Sequence, residues 1–310
     1  MMNLLIVGAS SFIGKKIYQI AQEKGFNVVG TTTNPQNREW YKFNLMNDDI
    51  SDVLNKSGLM RAIERKEKVY AIVAAFYCGN ERTLNHMDEA VKINLIGSKR
   101  MLDIFHQLGV KALYLSTEQV FDGLKGSFYS EDDELSPVLT YGRHKAEMEK
   151  YIMKNMPEML IYRLSQNVDV YPEGIQIFND VYYRQMREKN FKSIKGQILS
   201  PTYIGDTAKW AIEGLKRNLI GIYHCANPEK ISRAGLVRKF LAGIGSEAKV
   251  EEVAVEYFGF REGRPLDTSL DITKISKDIQ GINFMSVDEI VNQFVINMRN
   301  GFNKQTLENN

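Results

Sequence analysis

Residues 3–14 read NLLIVGASSFIG and combine an apolar run with a turn between two glycines. The run Leu4–Val7 predicts a central parallel strand that helices cover on both faces. Gly8 permits a tight turn, Gly14 lets the following helix pack close to the strand, and the free N–H groups of the helix start suit a pyrophosphate. Because Ser11 stands where G-x-G-x-x-G has its middle glycine, the pattern fits both a dinucleotide-binding unit and an ordinary strand-to-helix turn.

The composition is that of a globular protein. The 310 residues are 44% hydrophobic and 25% charged with a formal net charge of +2, so we expect one large or two modest domains and no nucleic-acid partner. Cys78 and Cys225 lie in apolar runs, which argues against a disulfide framework or a zinc site. The longest nearly apolar run, Tyr70–Cys78, is about half as long as a membrane span. No basic segment precedes the first apolar run, so we expect no signal peptide and a cytoplasmic location.

The second strand of the unit bears on the choice of cofactor. A helix to about Lys24 and a strand over Asn27–Val29 complete a short β-α-β unit. No acidic residue directly follows that strand to hold a ribose 2′-hydroxyl. Thr31, Thr32 and the later Arg38 suit a 2′-phosphate instead, because they donate hydrogen bonds to it and do not repel it. The sequence therefore predicts NADP(H) rather than NAD(H), unless the threonines only finish the strand and Arg38 is solvated.

The alternation of strands and helices continues along the chain. Val69–Ala75 and Lys111–Leu115 are apolar runs that predict further parallel strands. Between them the pattern predicts one helix over Asn85–Leu108, with Asn94 in its middle, where a buried amide is costly unless its hydrogen bonds are used. Thr117 follows the second of these strands, at the carboxyl end where open α/β sheets bind their ligands.

A helix after Pro137 carries Tyr141 and Lys145, which lie one turn apart and share a face. The reference pKa of a tyrosine is about 10, and a nearby ammonium lowers it by favouring the phenolate. The pair therefore predicts a general acid that works near neutral pH. Tyr-x-x-x-Lys also occurs by chance, and the alternative is a packed Tyr141 beside an exposed Lys145.

The chain resembles the extended short-chain dehydrogenase/reductases, because it carries G-x-x-S-x-x-G, the helix Asn94, Ser116-Thr117 and Tyr141-x-x-x-Lys145 in the order of that group. Within the group it is most similar to the dTDP-4-dehydrorhamnose reductases. The segments that carry this similarity are STEQVFDG (116–123), YGRHKAEME (141–149), YRLSQNVDVYP (162–172), SPTYIGDTA (200–208), GIYHCANPEKISR (221–233) and RPLDTSLDITKI (264–275). The resemblance covers nearly the whole chain.

This resemblance implies an α/β fold in which a Rossmann-type, doubly wound parallel sheet is joined to a smaller α/β C-terminal substrate domain. The implied NAD(P)-binding domain spans residues 1–165 with a returning segment at about 197–227, and the implied nucleotide-sugar domain spans 166–310. The implied activity is NADPH-dependent reduction of a 4-keto-6-deoxy nucleotide sugar in deoxysugar or polysaccharide biosynthesis. A monomer or homodimer is expected, with no metal and no membrane partner.

The resemblance also assigns roles to single residues. Tyr141 would protonate the sugar carbonyl oxygen, and Thr117 would hydrogen-bond it. Lys145 would tune Tyr141 and hold the nicotinamide ribose, with Asn94 supporting Lys145 through water. The residues expected to bind the cofactor are Gly8, Ser10, Ser11, Phe12, Ile13, Gly14, Thr31, Thr32, Arg38, Asn44, Leu45, Ala74, Ala75, Tyr141 and Lys145. The residues expected to bind the substrate are Phe76, Glu118, Gln119, Val120 and Arg264.

The chain departs from the family pattern at positions that are expected to face the sugar. Glu118 and Gln119 stand where the family has Asp and Tyr, and Ala74 stands where it has Asn. These departures bear on the identity of the sugar more than on reduction. The related 4,6-dehydratases carry Asp-Glu after the threonine, and Gln119 cannot act as their base. A nucleotide-sugar epimerase, and a non-catalytic NADP-binding subunit like the beta subunit of methionine adenosyltransferase, are the alternatives.

NADPH should bind more tightly than NADH by about tenfold, because one charge-assisted contact contributes about 1.5–3 kcal/mol before desolvation costs. Fluorescence titration of both cofactors measures the difference. Arg38→Ala should remove it, since the guanidinium is expected to meet the 2′-phosphate. Equal affinities in the unchanged protein, or a preference that survives Arg38→Ala, would contradict the prediction.

Overall fold

A computed structural model describes residues 2–35, 39–126, 128–174 and 176–308, with side chains described as far as residue 300. In it, seven parallel strands form the central sheet. Counting those outside the central sheet, the strands in the described residues are β1 (Asn3–Val7), β2 (Asn27–Thr32), β3 (Tyr41–Lys42), β4 (Val69–Val73), β5 (Lys111–Thr117), β6 (Leu160–Leu164), β7 (Asn167–Val168), β8 (Asn190–Ile194), β9 (Ile198–Leu199), β10 (Thr202–Tyr203), β11 (Gly221–Cys225), β12 (Ile231–Ser232) and β13 (Lys249–Val253).

The helices connect these strands. They are α1 (Phe12–Glu23), α2 (Ile50–Ser57), α3 (Leu59–Glu64), α4 (Asn80–Asn85), α5 (Met87–Val91), α6 (Ser98–Gln107), α7 (Thr140–Asn155), α8 (Ile177–Gln185), α9 (Ile204–Lys216), α10 (Arg233–Ile244), α11 (Thr273–Asp278) and α12 (Val287–Glu308). A π-helical segment covers Lys92–Gly97, and 3₁₀ turns cover Glu118–Val120 and Val255–Phe258. Among the helices described, none is both long and apolar enough to cross a bilayer.

The strand order in the sheet is β11-β6-β5-β4-β1-β2-β3, and every neighbouring pair is parallel. The chain builds outward from β1 to β3, then returns to the other side of β1 and builds outward again from β4. This reversal between β1 and β4 is the topological switch point at which open α/β sheets bind ligands. The prediction of a Rossmann-type, doubly wound parallel sheet is confirmed.

The apolar run of β1 is buried on both faces of the sheet. Leu5 and Val7 belong to one hydrophobic cluster, and Leu4 and Ile6 belong to the other. Alternate residues of a strand point to opposite faces, so a strand covered on both sides needs the continuous apolar run seen here.

A third hydrophobic cluster lies in the C-terminal part of the chain. Phe178 of α8, Phe240 of α10 and Phe294 of α12 pack together in it, with ring centres 5.0–5.5 Å apart. The short sheets β10-β7, β12-β9 and β13-β8 belong to the same half of the chain. Strand β11, from this half, pairs with β6 and so extends the central sheet. The division into two domains stays a prediction.

The segment between β4 and β5 is not the single helix that the sequence pattern predicts. Helix α4 ends at Asn85, α5 begins at Met87, and the π-helical segment Lys92–Gly97 precedes α6. The wide turn lies against another part of the backbone, because a Cβ on Gly97 would come within 2.0 Å of the Leu45 carbonyl oxygen. A π turn contains more residues than an α turn, but the apolar residues around it still follow a helix-like order. The hydrophobic periodicity of the sequence therefore does not reveal it.

Strand β2 is longer than the predicted Asn27–Val29. Thr31 and Thr32 pair in parallel with Tyr41 and Lys42 of β3, and both threonines are buried. Thr31 and Thr32 therefore belong to the sheet. They form the carboxyl end of β2, which reaches the edge of the sheet where a ligand binds.

A buried ion pair attaches α7 to the sheet. The side chains of Glu149 and Arg163 are 1% and 2% exposed, and Arg163 Nη2 donates to Glu149 Oε2 at 2.9 Å. Arg163 Nε donates to the same oxygen at 3.1 Å, and the Ser116 hydroxyl donates to Glu149 Oε1. One carboxylate of α7 thus joins β5, which carries Ser116, to β6, which carries Arg163. Such bidentate geometry is what a buried ion pair needs to offset its desolvation.

His224 of β11 extends this network as a neutral ring. Burial, with the neighbouring Arg163 cation, lowers the pKa of His224 to about 3. Its Nε2 accepts from Arg163 Nη1 at 3.2 Å, and its Nδ1–H donates to the Asp271 carbonyl oxygen at 3.0 Å. This tautomer follows from the partners, because a guanidinium only donates and a carbonyl only accepts.

Glu149→Gln should destabilise the protein by about 3 kcal/mol or more, because it leaves the Arg163 cation buried without a counter-ion. Denaturant unfolding followed by circular dichroism measures the change. The matched control is Glu147→Gln on the same helix, since Glu147 pairs with Lys99 at the surface. Its loss should cost no more than about 0.5 kcal/mol, and equal effects of the two substitutions would contradict the role assigned to Glu149.

Candidate active site

The turn between β1 and α1 fits only glycine at its two ends. Gly8 has a φ of +88°, and a Cβ there would lie 2.8 Å from backbone atoms of Ala75. A Cβ on Gly14 would lie 2.1 Å from the Gly8 carbonyl oxygen. Ser11 caps α1, because its Oγ accepts from the Gly14 N–H at 3.1 Å. A side-chain hydrogen bond thus orders the turn at the place where the usual pattern has a glycine.

A cavity of about 360 Å³, which we call the loop cavity, lies over this turn. The predicted cofactor residues that line it are Gly8, Ser10, Ser11, Thr31, Thr32, Asn44, Leu45 and Ala75. Thr31 Oγ1 accepts from the Gly8 N–H at 3.1 Å, and the hydroxyls of Thr32 and Ser10 lie 2.8 Å apart. Thr31 therefore orders the turn, and Thr32 and Ser10 share one hydrogen bond. Arg38 lies outside the described residues.

A second cavity, of about 340 Å³, lies at the carboxyl end of β5, and we call it the strand-end cavity. Phe12, Ile13, Ala74, Phe76, Thr117, Glu118, Gln119 and Tyr141 are among its lining residues. The start of α1 and the Tyr141 side chain therefore share one cavity, although they lie far apart in the sequence. Val120 does not line it. As the last residue of its 3₁₀ turn, Val120 is fully buried beside Phe121.

Lys145 is 1% exposed and is not among the residues that line the strand-end cavity. Its Nζ donates to the Leu115 carbonyl oxygen at 2.6 Å, and it lies 2.8 Å from the centre of the Phe76 ring and 5.7 Å from that of Tyr141. Burial lowers the pKa of Lys145 well below its usual value and raises the pKa of Tyr141. Burial is the main cause of the raised pKa of Tyr141 in this structure, and the tuning of Tyr141 by Lys145 stays a prediction.

Asn94 is 1% exposed and uses its whole amide. Its Oδ1 accepts from the Tyr77 N–H at 2.8 Å, and its Nδ2 donates to the Tyr77 carbonyl oxygen at 2.9 Å. The same Nδ2 lies 3.5 Å from Nδ1 of His144 on α7. The amide therefore holds the chain that follows β4, and it reaches α7 at His144. Support of Lys145 by Asn94 stays a prediction.

Arg82 lies beside the glycine turn and is absent from the predicted site residues. It lines the loop cavity and also a cavity of about 670 Å³ that Ser10 and Ser11 border as well. Its guanidinium carbon lies 4.1 Å from the centre of the Tyr77 ring, as in a cation–π contact. The signal in the sequence is its place soon after β4, at the sheet edge that carries the glycine turn.

Thr117 and Glu118 are hydrogen-bonded at the carboxyl end of β5. The Thr117 hydroxyl donates to Glu118 Oε2 at 3.2 Å and accepts from the Gln119 N–H at 3.3 Å. Burial raises the pKa of Glu118 to about 7, against the hydrogen bonds from its own backbone and from Thr117, which favour the carboxylate. The strand-end cavity thus contains a titratable carboxyl beside Tyr141.

Glu118 and Gln119 also border a cavity of about 320 Å³, which we call the lobe cavity. Its cationic lining residues are Arg184, Lys192, Arg233 and Arg264. Arg264 Nη2 donates to Glu81 of α4 at 2.6 Å, and the Arg264 guanidinium lies 3.9 Å from the centre of the Phe260 ring. Arg184 and Lys192 also pair with carboxylates, those of Glu188 and Glu251, so an anionic ligand in this cavity would share these cations with their partners. Over the described ranges, no three His, Cys, Asp or Glu side chains are grouped to hold a metal ion.

Buried polar atoms without a hydrogen-bond partner border the lobe cavity. In the part of the chain that the structure describes, they include Gln119 Oε1, Ser193 Oγ and Gln197 Oε1. Most buried polar atoms are satisfied, and an unsatisfied one costs about 1–3 kcal/mol. Their concentration around a cationic cavity indicates a ligand with several polar groups.

The family model described as "RmlD substrate binding domain" matches residues 2–299, which is nearly the whole chain. The chain belongs to this family. The match spans both the central sheet and the C-terminal hydrophobic cluster. The predicted resemblance to nucleotide-sugar reductases of the short-chain dehydrogenase/reductase superfamily is confirmed, and with it the prediction of an NAD(P)-dependent oxidoreductase.

The individual proteins that this chain is similar to are distant in sequence. The chain is 24% identical to a dTDP-4-dehydrorhamnose reductase of Aggregatibacter actinomycetemcomitans over 295 residues, which are 89% of this chain and 93% of the relative. It is 23% identical to the methionine adenosyltransferase 2 subunit beta of Xenopus tropicalis, over 88% of this chain and 81% of the relative. A solved dTDP-4-dehydrorhamnose reductase of Bacillus anthracis in complex with NADP has a TM-score of 0.79 at 21% identity, with 96% and 99% of the two chains covered.

Proposed function

We propose that this protein reduces the keto group of a 4-keto-6-deoxy nucleotide sugar with NADPH, in deoxysugar or polysaccharide biosynthesis. The observation that supports this most is the strand-end cavity, in which the Thr117 and Tyr141 side chains meet the start of α1. A site for dinucleotide reduction needs this combination, because the cofactor must lie at a helix start while a proton donor faces the substrate carbonyl.

The residues of the glycine turn fit a nicotinamide dinucleotide. Side chains at Gly8 and Gly14 would collide with the backbone, and the turn is held short by Ser11, so backbone N–H groups at the start of α1 are accessible to a pyrophosphate. Arg82 adds a cation at the same edge. When bound, the cofactor supplies a hydride to the carbonyl carbon. Preference for NADP(H) rests on the missing acid after β2 and on Arg38.

Tyr141 is the proton donor in this proposal. A carbonyl that receives a hydride develops negative charge on its oxygen, and a proton must reach that oxygen as the charge develops. The Tyr141 hydroxyl carries its proton at neutral pH, and because burial raises its pKa in this structure, release of that proton depends on the charge that develops on the carbonyl oxygen. Thr117 holds the same oxygen with a hydrogen bond. In this structure Lys145 Nζ donates to the Leu115 carbonyl oxygen and to the Tyr114 hydroxyl, so holding the nicotinamide ribose would need its third N–H or a change in these contacts.

The nucleotide and its diphosphate are assigned to the lobe cavity. Its cations and unsatisfied polar atoms suit a phosphorylated ligand, and Glu118 and Gln119 connect it to the strand-end cavity. In this proposal, the cofactor is bound by a domain over residues 1–165, to which residues 197–227 return. The nucleotide sugar is bound by a substrate domain over residues 166–310. The ion pair of Arg264 with Glu81 spans the two halves of the chain.

Arg264→Ala should raise the KM for a nucleotide sugar by about tenfold or more, because a guanidinium in the lobe cavity binds a diphosphate by charge-assisted hydrogen bonds. Steady-state kinetics with NADPH measure it. Arg261→Ala is the matched control, because Arg261 also pairs with Glu81 but does not line the lobe cavity. An unchanged KM in Arg264→Ala, or an equal change in Arg261→Ala, would rule out the binding role.

Tyr141→Phe should lower turnover by about 10²- to 10⁴-fold and leave cofactor affinity nearly unchanged, because a general acid acts mainly in the transition state. The assay is NADPH consumption with dTDP-, UDP- and GDP-linked keto sugars. Tyr151→Phe, on the same helix, is the control, since the Tyr151 hydroxyl donates to Asp103, away from the strand-end cavity.

The same panel of substrates separates this proposal from the alternatives. Full activity of Tyr141→Phe would remove the mechanism. Interconversion of nucleotide sugars without net consumption of NADPH would favour an epimerase. Tight binding of NADPH without turnover of any keto sugar would favour a role as a cofactor-binding subunit.

A further inference from the structure

Within the protein, the Thr117 hydroxyl has a partner for its proton and for one of its two lone pairs. A hydroxyl has one proton to donate and two lone pairs that accept. One lone pair of Thr117 Oγ1 accepts from the Gln119 N–H at 3.3 Å, and the hydroxyl proton is donated to Glu118 Oε2 at 3.2 Å. With an ionised Glu118, which only accepts, the single proton of Thr117 is directed to that carboxylate and is not available to a substrate carbonyl.

A protonated Glu118 reverses this hydrogen bond. The carboxyl O–H then donates to the second lone pair of Thr117 Oγ1, while the Gln119 N–H keeps the first. The hydroxyl proton of Thr117 is left as its only free hydrogen-bonding group. It can then be donated into the strand-end cavity, which Thr117 and Tyr141 line together.

We propose that Glu118, in its protonated form, is a positioning residue that turns the Thr117 hydroxyl proton toward the carbonyl oxygen of the substrate. The inference rests on the proposed function, because it assigns the orientation of one hydrogen bond in that reaction. Glu118 itself transfers no proton to the substrate. It determines whether Thr117 presents a proton or a lone pair to the carbonyl oxygen.

The surroundings of Glu118 are consistent with a proton that is held near neutral pH. Burial raises the pKa of this carboxyl to about 7, and within the described ranges Glu118 takes part in no ion pair. Tyr141 faces it from α7 and Cys78 faces it from the segment after β4, across the strand-end cavity. The cations of the lobe cavity are Arg184, Lys192, Arg233 and Arg264. Arg264 pairs with Glu81, Lys192 with Glu251, and Arg184 with Asp180 and Glu188.

Another group titrates close to the same cavity and must be separated from Glu118. Burial lowers the pKa of Lys145 well below its usual value, so loss of its proton can also change turnover with pH. The pKa of Tyr141 is raised by burial, and its hydroxyl stays protonated through the neutral range. A comparison of Glu118→Gln with the unchanged protein removes the contribution of Lys145, because both proteins carry it.

The first test is the pH dependence of kcat for the unchanged protein and for Glu118→Gln. A glutamine amide donates to Thr117 Oγ1 at every pH and so mimics the protonated carboxyl. The ratio of kcat for the unchanged protein to kcat for Glu118→Gln should fall by about tenfold between pH 6 and pH 8, because a carboxyl with a pKa of about 7 loses most of its proton there. Glu134→Gln, at an exposed carboxyl of the following loop, should keep the profile of the unchanged protein.

Thr117→Val provides the second comparison, because it removes the hydroxyl through which Glu118 is proposed to act. In that background, the further change Glu118→Gln should leave the pH profile unaltered. A ratio that stays constant from pH 6 to pH 8, or an effect of Glu118→Gln that persists in Thr117→Val, would overturn the inference.

The third test needs no turnover. Infrared difference spectra of the protein between pH 6 and pH 8 should show a protonated carboxyl band that is lost at the higher pH and is absent from Glu118→Gln. Absence of that band in the unchanged protein would overturn the inference. Failure of the proposed function, by contrast, would appear as lack of turnover with the whole panel of keto sugars while the infrared band persists.

Discussion

The Glu149 carboxylate accepts from the Ser116 hydroxyl and from two nitrogens of Arg163, and so holds α7 to β5 and β6 at once. Because Tyr141, Lys145 and Glu149 follow one another at intervals of four residues, fixing Glu149 also fixes the direction of the other two. A second contact acts at the start of α7. A Cβ on Gly142 would lie 2.1 Å from the Gln119 carbonyl oxygen. Helix α7 therefore lies directly against the 3₁₀ turn that follows Thr117. The relative placement of Tyr141 and Thr117 depends on these two contacts.

The position of the site follows from the order of the strands. The chain reverses direction across the sheet between β1 and β4, so the segments that leave these strands diverge and leave a crevice at their carboxyl ends. The glycine turn fills one side of the crevice, and the segment held by Asn94 fills the other. Close backbone contact between Gly8 and Ala75 keeps the crevice narrow there. Strand β5, which ends at Thr117, lies next to β4 in the sheet. The loop cavity and the strand-end cavity therefore adjoin.

Much of this arrangement can be predicted from sequence because it depends on local patterns. Continuous apolar runs identify β1, β4 and β5, and the spacing of Tyr141 and Lys145 places them on one helix face. Depth and direction of side chains depend on the whole fold and are not predictable in this way. Lys145 donates to a strand carbonyl beneath Phe76, and Val120 is turned into the interior by a single 3₁₀ turn. The π-helical segment likewise lies against a distant part of the chain, where Gly97 meets the Leu45 carbonyl group.

The departures of this chain from the family pattern are gathered on one wall of the site. Ala74 and Gln119 line the strand-end cavity beside Phe76, whereas the glycine turn, Thr117, Tyr141 and Lys145 keep the family's residues. Phe76 packs edge-on against Tyr114, with ring centres 5.2 Å apart, and covers Lys145 Nζ, so it makes this wall apolar. A changed wall beside unchanged proton-donating groups is the arrangement expected when the reaction type is retained and the sugar differs. For the proposed reaction, the side chains that select the sugar are therefore to be sought among these three residues and Glu118, and not on α7.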